Sequence, residues 1–337
     1  MTRGTRERPG DRPAVNPHAT RSVVMARRGL IATSQPLASA AGLRVLTEGG
    51  NAVDAAVTAA AALAVVEPTM NAVGGDLFAI VYEPKTRSLH GLNASGRSAY
   101  AATPACFRQH HFDRIPERGA LSVSVPGVVD GWAQLLAKHG TISLARALEP
   151  AIAYAREGYP VLEIVAAEWK GAERLLAADP DAAATFLPGG HAPNPGDVFA
   201  NGNLARSLEL IAQQGPDAFY RGPLAQKIVA ALASRGGLLA ARDFADHRSD
   251  WVDPLSTSYR GHQVFELPPN TQGITALEML NILEGDDLRS LGWNTAAYLH
   301  LLIEAKRIAF ADRDAYIADP DSVPAALIQT LISKEYA

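Results

Sequence analysis

From Ala52 to Val65 the sequence is dominated by alanine and carries no charge after Asp54. Alanine is the strongest helix former, and the side-chain oxygen of Asn51 is placed to cap the first turn. A helix without a polar face cannot lie on a surface, so other elements of the fold have to cover this one on most sides. The run is also too short and too alanine-rich to span a bilayer. With 337 residues, 47% of them hydrophobic, the chain has enough material for a core of that kind.

The surrounding patterns supply candidate neighbours. Gly29–Thr33 reads as a short strand, and Pro36 with Ser39 can open a helix through Leu46 that Gly49 and Gly50 end. After Gly74 and Gly75, Leu77–Tyr82 reads as an apolar strand, with Ser88–Leu92 as its hairpin partner. Gly131–Arg156 is helical in pattern and closes at Gly158 and Pro160, whereas the Ala-, Pro- and Gly-rich stretch Asp179–Asp197 reads as a loop. Further helices are expected over Leu204–Gln214, Pro223–Arg235, Gly273–Leu283 and Ala296–Asp312, and a strand over Val264–Leu267. Residues 1–22 have the composition of a disordered tail. No repeat or linker divides the remainder, so residues 23–337 are expected to form one mixed domain with helices layered on a sheet.

Several function classes are set aside by composition. The formal net charge is −4, and the 31 Lys and Arg residues are scattered after the first dozen positions, which gives no nucleic-acid footprint. A single cysteine, Cys106, can form neither an internal disulfide nor a thiolate metal site. His110 and His111 are adjacent and lack a partner at helical spacing, and the carboxylates Asp312, Asp314, Asp319 and Asp321 lack the Gly and Glu of a calcium loop. No metal or cofactor is expected. No secretory apolar region follows the start, so the expected setting is cytoplasmic, without a membrane partner.

Ordered strings point further. Ile31-Ala-Thr-Ser-Gln-Pro-Leu-Ala-Ser-Ala-Ala-Gly42, Gly49-Gly-Asn-Ala-Val-Asp-Ala-Ala56, Ala64-Val-Val-Glu-Pro68 and Gly74-Gly75 are followed by Val125-Pro-Gly127 with Gly131-Trp132, and by Pro150-Ala-Ile with Gly158-Tyr-Pro160. Phe219-Tyr-Arg-Gly222, Tyr259-Arg-Gly261, Leu267-Pro-Pro269 with Gln272-Gly273, Met279-Leu-Asn-Ile-Leu283 and Ala309-Phe-Ala-Asp-Arg313 complete the series. From about residue 23 onward the chain resembles the large-subunit portion of gamma-glutamyltransferases, also called gamma-glutamyltranspeptidases or glutathione hydrolases.

That resemblance implies an α+β fold of the N-terminal-nucleophile hydrolase type, a four-layer αββα sandwich that is incomplete without a small subunit. Members of the family cut themselves to expose a Thr at the start of the small subunit. Its amine then activates its hydroxyl against gamma-glutamyl amides such as glutathione. The sequence reaches Ala337 before a stretch resembling that junction, so no catalytic residue is expected within it.

One substrate-binding residue is implied here, an Arg for the glutamyl α-carboxylate. In Leu92-Asn-Ala-Ser-Gly-Arg97, an ungapped count back from Thr103 places that position on Ser95, and a two-residue shift brings it to Arg97. Arg97 is the candidate because a guanidinium matches a carboxylate. Gln35 stands where many members have His, and Pro268-Pro-Asn-Thr-Gln-Gly273 departs from the usual Ser- and Gly-rich string. These departures resemble the broader gamma-glutamyltransferase-like group, which leaves an acylase for another amide, or a non-catalytic scaffold subunit, as alternatives.

Overall fold

The computed structural model describes residues 23–337, and the tail expected over residues 1–22 lies outside them. Helix α1 (Pro36–Thr47) starts where the Gln35 side chain accepts from the Leu37 and Ala38 amides, and α2 (Ala52–Val66) starts at an Asn51–Asp54 capping box. The two helices approach closely at Gly42, where a Cβ would stand 2.8 Å from the Ala55 carbonyl oxygen. As its composition requires, α2 is buried along most of its length. Gly29–Thr33 is not a strand: the Thr33 hydroxyl bonds to the Gln35 carbonyl and to Ser39, which turns the chain into α1.

Strands β1 (Leu77–Glu83) and β2 (Ser88–Ala94) form the expected antiparallel hairpin and lead to the short helix α3 (Pro104–Gln109). Helical structure then runs over α4 (Val128–His139) and α5 (Leu144–Glu157), where the sequence pattern suggested one continuous helix. Asp54 makes the break. Fully buried, its carboxylate accepts from the Thr141 amide at 2.7 Å, the Thr141 hydroxyl at 2.5 Å and the Ile142 amide at 3.3 Å, which draws residues 140–143 out of helical pairing. Ser143 then caps α5.

Strand β3 (Tyr159–Pro160), α6 (Glu163–Ala177), α7 (Pro180–Phe186), β4 (Val198–Phe199), α8 (Gly202–Gln214), α9 (Asp217–Tyr220), α10 (Pro223–Ala233) and α11 (Ala241–Ala245) follow in order. Helix α7 lies inside the stretch read as a loop. Asp179 caps it, and Pro180 occupies its first turn, where a missing N–H costs nothing. The chain ends with β5 (Asp250–Val252), a hairpin of β6 (Leu255–Tyr259) and β7 (His262–Glu266), and helices α12 (Gly273–Leu283), α13 (Ala296–Tyr316) and α14 (Ala325–Leu331).

The fold is α+β. Its main sheet has the order β1-β2-β5. One face, with Leu77, Ala79 and Val81 of β1 and Leu92 and Ala94 of β2, packs against the helical core around Trp132 and α2. The opposite face carries Phe78, Ile80 and Tyr82, which are 45%, 40% and 56% exposed. A smaller apolar cluster centres on Ile274, Leu277, Ile328 and Leu331, beside the β6–β7 hairpin. Among the described residues no helix is long and apolar enough to cross a membrane.

Candidate functional site

The exposed sheet face holds a row of three side chains in register. Phe78 of β1 lies opposite Asn93 of β2, which lies opposite Asp250 of β5. Beside Phe78, a cavity of about 430 Å³ opens between β1 and the start of α12, lined by Phe78, Ile80, Leu267, Thr271 and Gln272. Its wall is therefore largely apolar and its floor belongs to the sheet.

Where β2 ends, the backbone is held in a fixed path. Gly96 donates its amide to Asp76 at 3.1 Å, and a Cβ at Gly96 would fall 1.5 Å from the Val125 carbonyl oxygen, so only glycine passes there. The carbonyl of Arg97 accepts from the Val125 amide at 3.0 Å. Three neutral side chains close into a ring next to this turn. Asn93 donates to the Asn270 amide oxygen at 2.8 Å, the Ser95 hydroxyl donates to Asn93 at 2.8 Å, and the Asn270 amide nitrogen lies 3.1 Å from the Ser95 oxygen.

Arg97, the substrate-binding candidate, projects beside this ring and is half-exposed. Its guanidinium donates to Asp250 at 2.7 Å and to the Arg248 carbonyl at 3.0 Å. Both partners belong to the segment His247–Asp250. The Ser249 amide and hydroxyl donate to Asp130 at 2.8 and 2.5 Å, fixing the segment to the first turn of α4. His247 stacks on Tyr220 with ring centroids 4.9 Å apart, and the Tyr220 hydroxyl donates to the Pro126 carbonyl at 2.8 Å. Burial pushes the His247 imidazole below its ordinary pKa despite the pull of the Asp130 carboxylate, so the ring is neutral at pH 7.

The sequence singled out Arg97 and Ser95, and the fold brings both to one place. It adds Asn93 and Asn270, which lie in quoted strings but were given no role, and Asp130, Ser249 and Asp250, which no local motif marked. The three-residue β5 is too short to show an alternating pattern, and the contacts of Arg97 come from residues more than 150 positions away. His110 and His111 are exposed and far from any metal-ligand pattern, and among the described residues no group of three or more His, Cys, Asp or Glu side chains is arranged to hold a metal ion. Chemically, the site can anchor one end of a small ligand. It offers a guanidinium with further N–H groups, neutral donors and acceptors, and, on the far side of Asn93, the apolar cavity beside Phe78.

Comparison with known proteins agrees with this architecture. The family model described as gamma-glutamyltranspeptidase matches residues 38–337. The chain is 42% identical to the glutathione hydrolase-like YwrD proenzyme of Bacillus subtilis, over 93% of this chain and 59% of that protein. It is 40% identical to the acylase ACY 1 proenzyme of Pseudomonas sp. strain SE83, over 92% of this chain and 57% of that protein. It thus spans less than two thirds of these relatives. The crystal structure of Helicobacter pylori gamma-glutamyltranspeptidase superimposes with a TM-score of 0.87 at 34% identity, covering 94% of this chain and 91% of that one.

Proposed function

Because this chain belongs to the gamma-glutamyltranspeptidase family, we propose that it is the large-subunit part of an enzyme that transfers or hydrolyses gamma-glutamyl amides such as glutathione. The observation that carries the reading is Arg97, half-exposed and bound to Asp250, whose strand neighbour Asn93 lies opposite Phe78 at the edge of the apolar cavity. A small subunit covers the exposed sheet face. It brings a Thr whose own amine takes the proton from its hydroxyl, and the hydroxyl attacks the amide carbonyl. Donors on the small subunit stabilise the oxyanion, and water or an amino acid then resolves the acyl-enzyme. Arg97 holds the carboxylate at the far end of the acyl group, which fixes its orientation before attack.

A second reading, an acylase for a different amide, draws support from two observations. The Arg97 guanidinium already donates to Asp250, and one of the similar proteins is named an acylase. Both readings share the nucleophile and the cavity and differ only in the acyl group.

The test is steady-state kinetics on the protein made from its complete reading frame, with gamma-glutamyl-p-nitroanilide as donor. Arg97→Ala is expected to raise KM about tenfold or more with a smaller change in kcat, as loss of a charged hydrogen-bond pair implies. An unchanged KM would remove Arg97 from the donor site.

A further inference from the structure

We propose that Asp250 is a specificity-determining residue of the donor site: it competes with the carboxylate of an incoming acyl group for Arg97, so the site accepts acyl groups with and without that carboxylate. The inference rests on the reading that Arg97 faces the donor. Its ground is the geometry around the guanidinium. Both terminal nitrogens of Arg97 already donate, one to Asp250 at 2.7 Å and one to the Arg248 carbonyl at 3.0 Å. An incoming carboxylate therefore meets the Asp250 charge directly beside the N–H groups that remain to it.

Asp250 cannot swing aside with a loose loop. It pairs with Asn93 in the sheet, and the residue before it is bound twice to Asp130. The neighbouring charges add to the effect. Arg248 also approaches Asp250, at 3.6 Å, and Asp76 and Asp130 are bound to Gly96 and Ser249 on either side, so one more anion enters a region that already has more carboxylates than cations. Asp130 is satisfied by Ser249 and Asp76 by Gly96, which leaves Asp250 as the carboxylate that touches Arg97. The neutral ring of Asn93, Ser95 and Asn270 next to it offers donors and acceptors to an uncharged polar end group.

Asp250→Asn keeps the size of the side chain and removes the charge, and Asp250→Ser provides a second replacement. The experiment titrates L-glutamate, and L-isoglutamine in which the α-carboxylate is an amide, into the full-length protein by calorimetry. The wild type is expected to bind the two with Kd values within about threefold. Either replacement is expected to tighten L-glutamate by about threefold to fivefold, the upper scale of one exposed ion pair, and to leave isoglutamine unchanged. Adding Arg97→Ala to either replacement should abolish the gain. Equal L-glutamate binding by wild type and both variants, including no binding by any of them, would overturn the proposal. Hydrolysis of gamma-glutamyl-p-nitroanilide by the same samples judges the enzymatic reading separately, because the binding comparison needs no turnover.

Discussion

Asn93 on β2 and Asp250 on β5 face each other across antiparallel strands, which sets a neutral amide beside a carboxylate on the exposed face of the sheet. Each then reaches a different loop. Asn93 binds Asn270 at the approach to α12, and Asp250 binds Arg97 after β2. One cross-strand pair thereby ties together the three chain segments that form the candidate site, and the same face presents Phe78 and Ile80 to whatever packs on it.

Asp54 is the buried carboxylate on which the join between α4 and α5 depends. Burial pulls its carboxyl up, but hydrogen bonds from Thr141, Asn51 and Ile142 outweigh burial and hold it below the usual carboxylate range. A depressed folded pKa contributes stability that is present above the unfolded value of about 3.9 and is lost as pH falls through the folded one. Asp54→Asn is expected to cost about 2 kcal/mol at pH 7, the range for hydrogen bonds to a charged group, and to flatten the acid limb of a denaturant-unfolding profile below pH 4. An unchanged midpoint at pH 7 would contradict the assignment.

Glu278 of α12 shows the opposite shift. Buried against α13, its carboxyl is pushed up to about 8, by burial first and then by the hydrogen bond and charge of Asp312, which also accepts from the Tyr336 hydroxyl at 3.0 Å. Glu278 therefore carries its proton at neutral pH. A raised carboxyl pKa contributes stability that is complete below the unfolded value of about 4.3 and is lost as pH rises through the folded one. Glu278→Gln should be more stable than the wild type at pH 9, with the difference shrinking towards pH 5. Thermal unfolding at both pH values checks this, and parallel profiles would rule it out.

Phe78 and Ile80 point away from the core, so a charge there should leave the described fold intact. Ile80→Asp is expected to change its stability by no more than about 0.5 kcal/mol, as for other exposed positions. In the protein from its complete reading frame, the same change is expected to weaken the hold of the proposed small subunit on the sheet and to lower activity sharply. Gel filtration of the processed protein tests the first part, and normal co-elution with normal activity would show that this face is not the contact.

The parts of the fold that were legible in the sequence are those set by local physics. The alanine run behind Asn51 gave α2, the two apolar runs around Pro84–Arg87 gave the β1–β2 hairpin, and Gly273–Leu283 matches α12. What was hidden depends on partners distant in sequence. The break after His139 follows from Asp54, which lies 87 residues before its partner Thr141, and nothing near Thr141 signals it. Helix α7 carried its own start signal in Asp179-Pro180, outweighed by the surrounding glycines and prolines. At the candidate site, Arg97 was proposed because its string resembles a family motif, while Asp250 and Ser249 have no motif and take their meaning from where β5 pairs.

Under the proposed function, this chain is one part of a self-processing amidohydrolase whose nucleophile packs on the open sheet face. Intact mass and N-terminal sequencing of the protein expressed from its complete reading frame test it most directly. Two fragments that remain associated are expected, the smaller beginning with Thr and the larger containing Arg97 and Asp250. A single uncut polypeptide, inert towards amide donors, would contradict it.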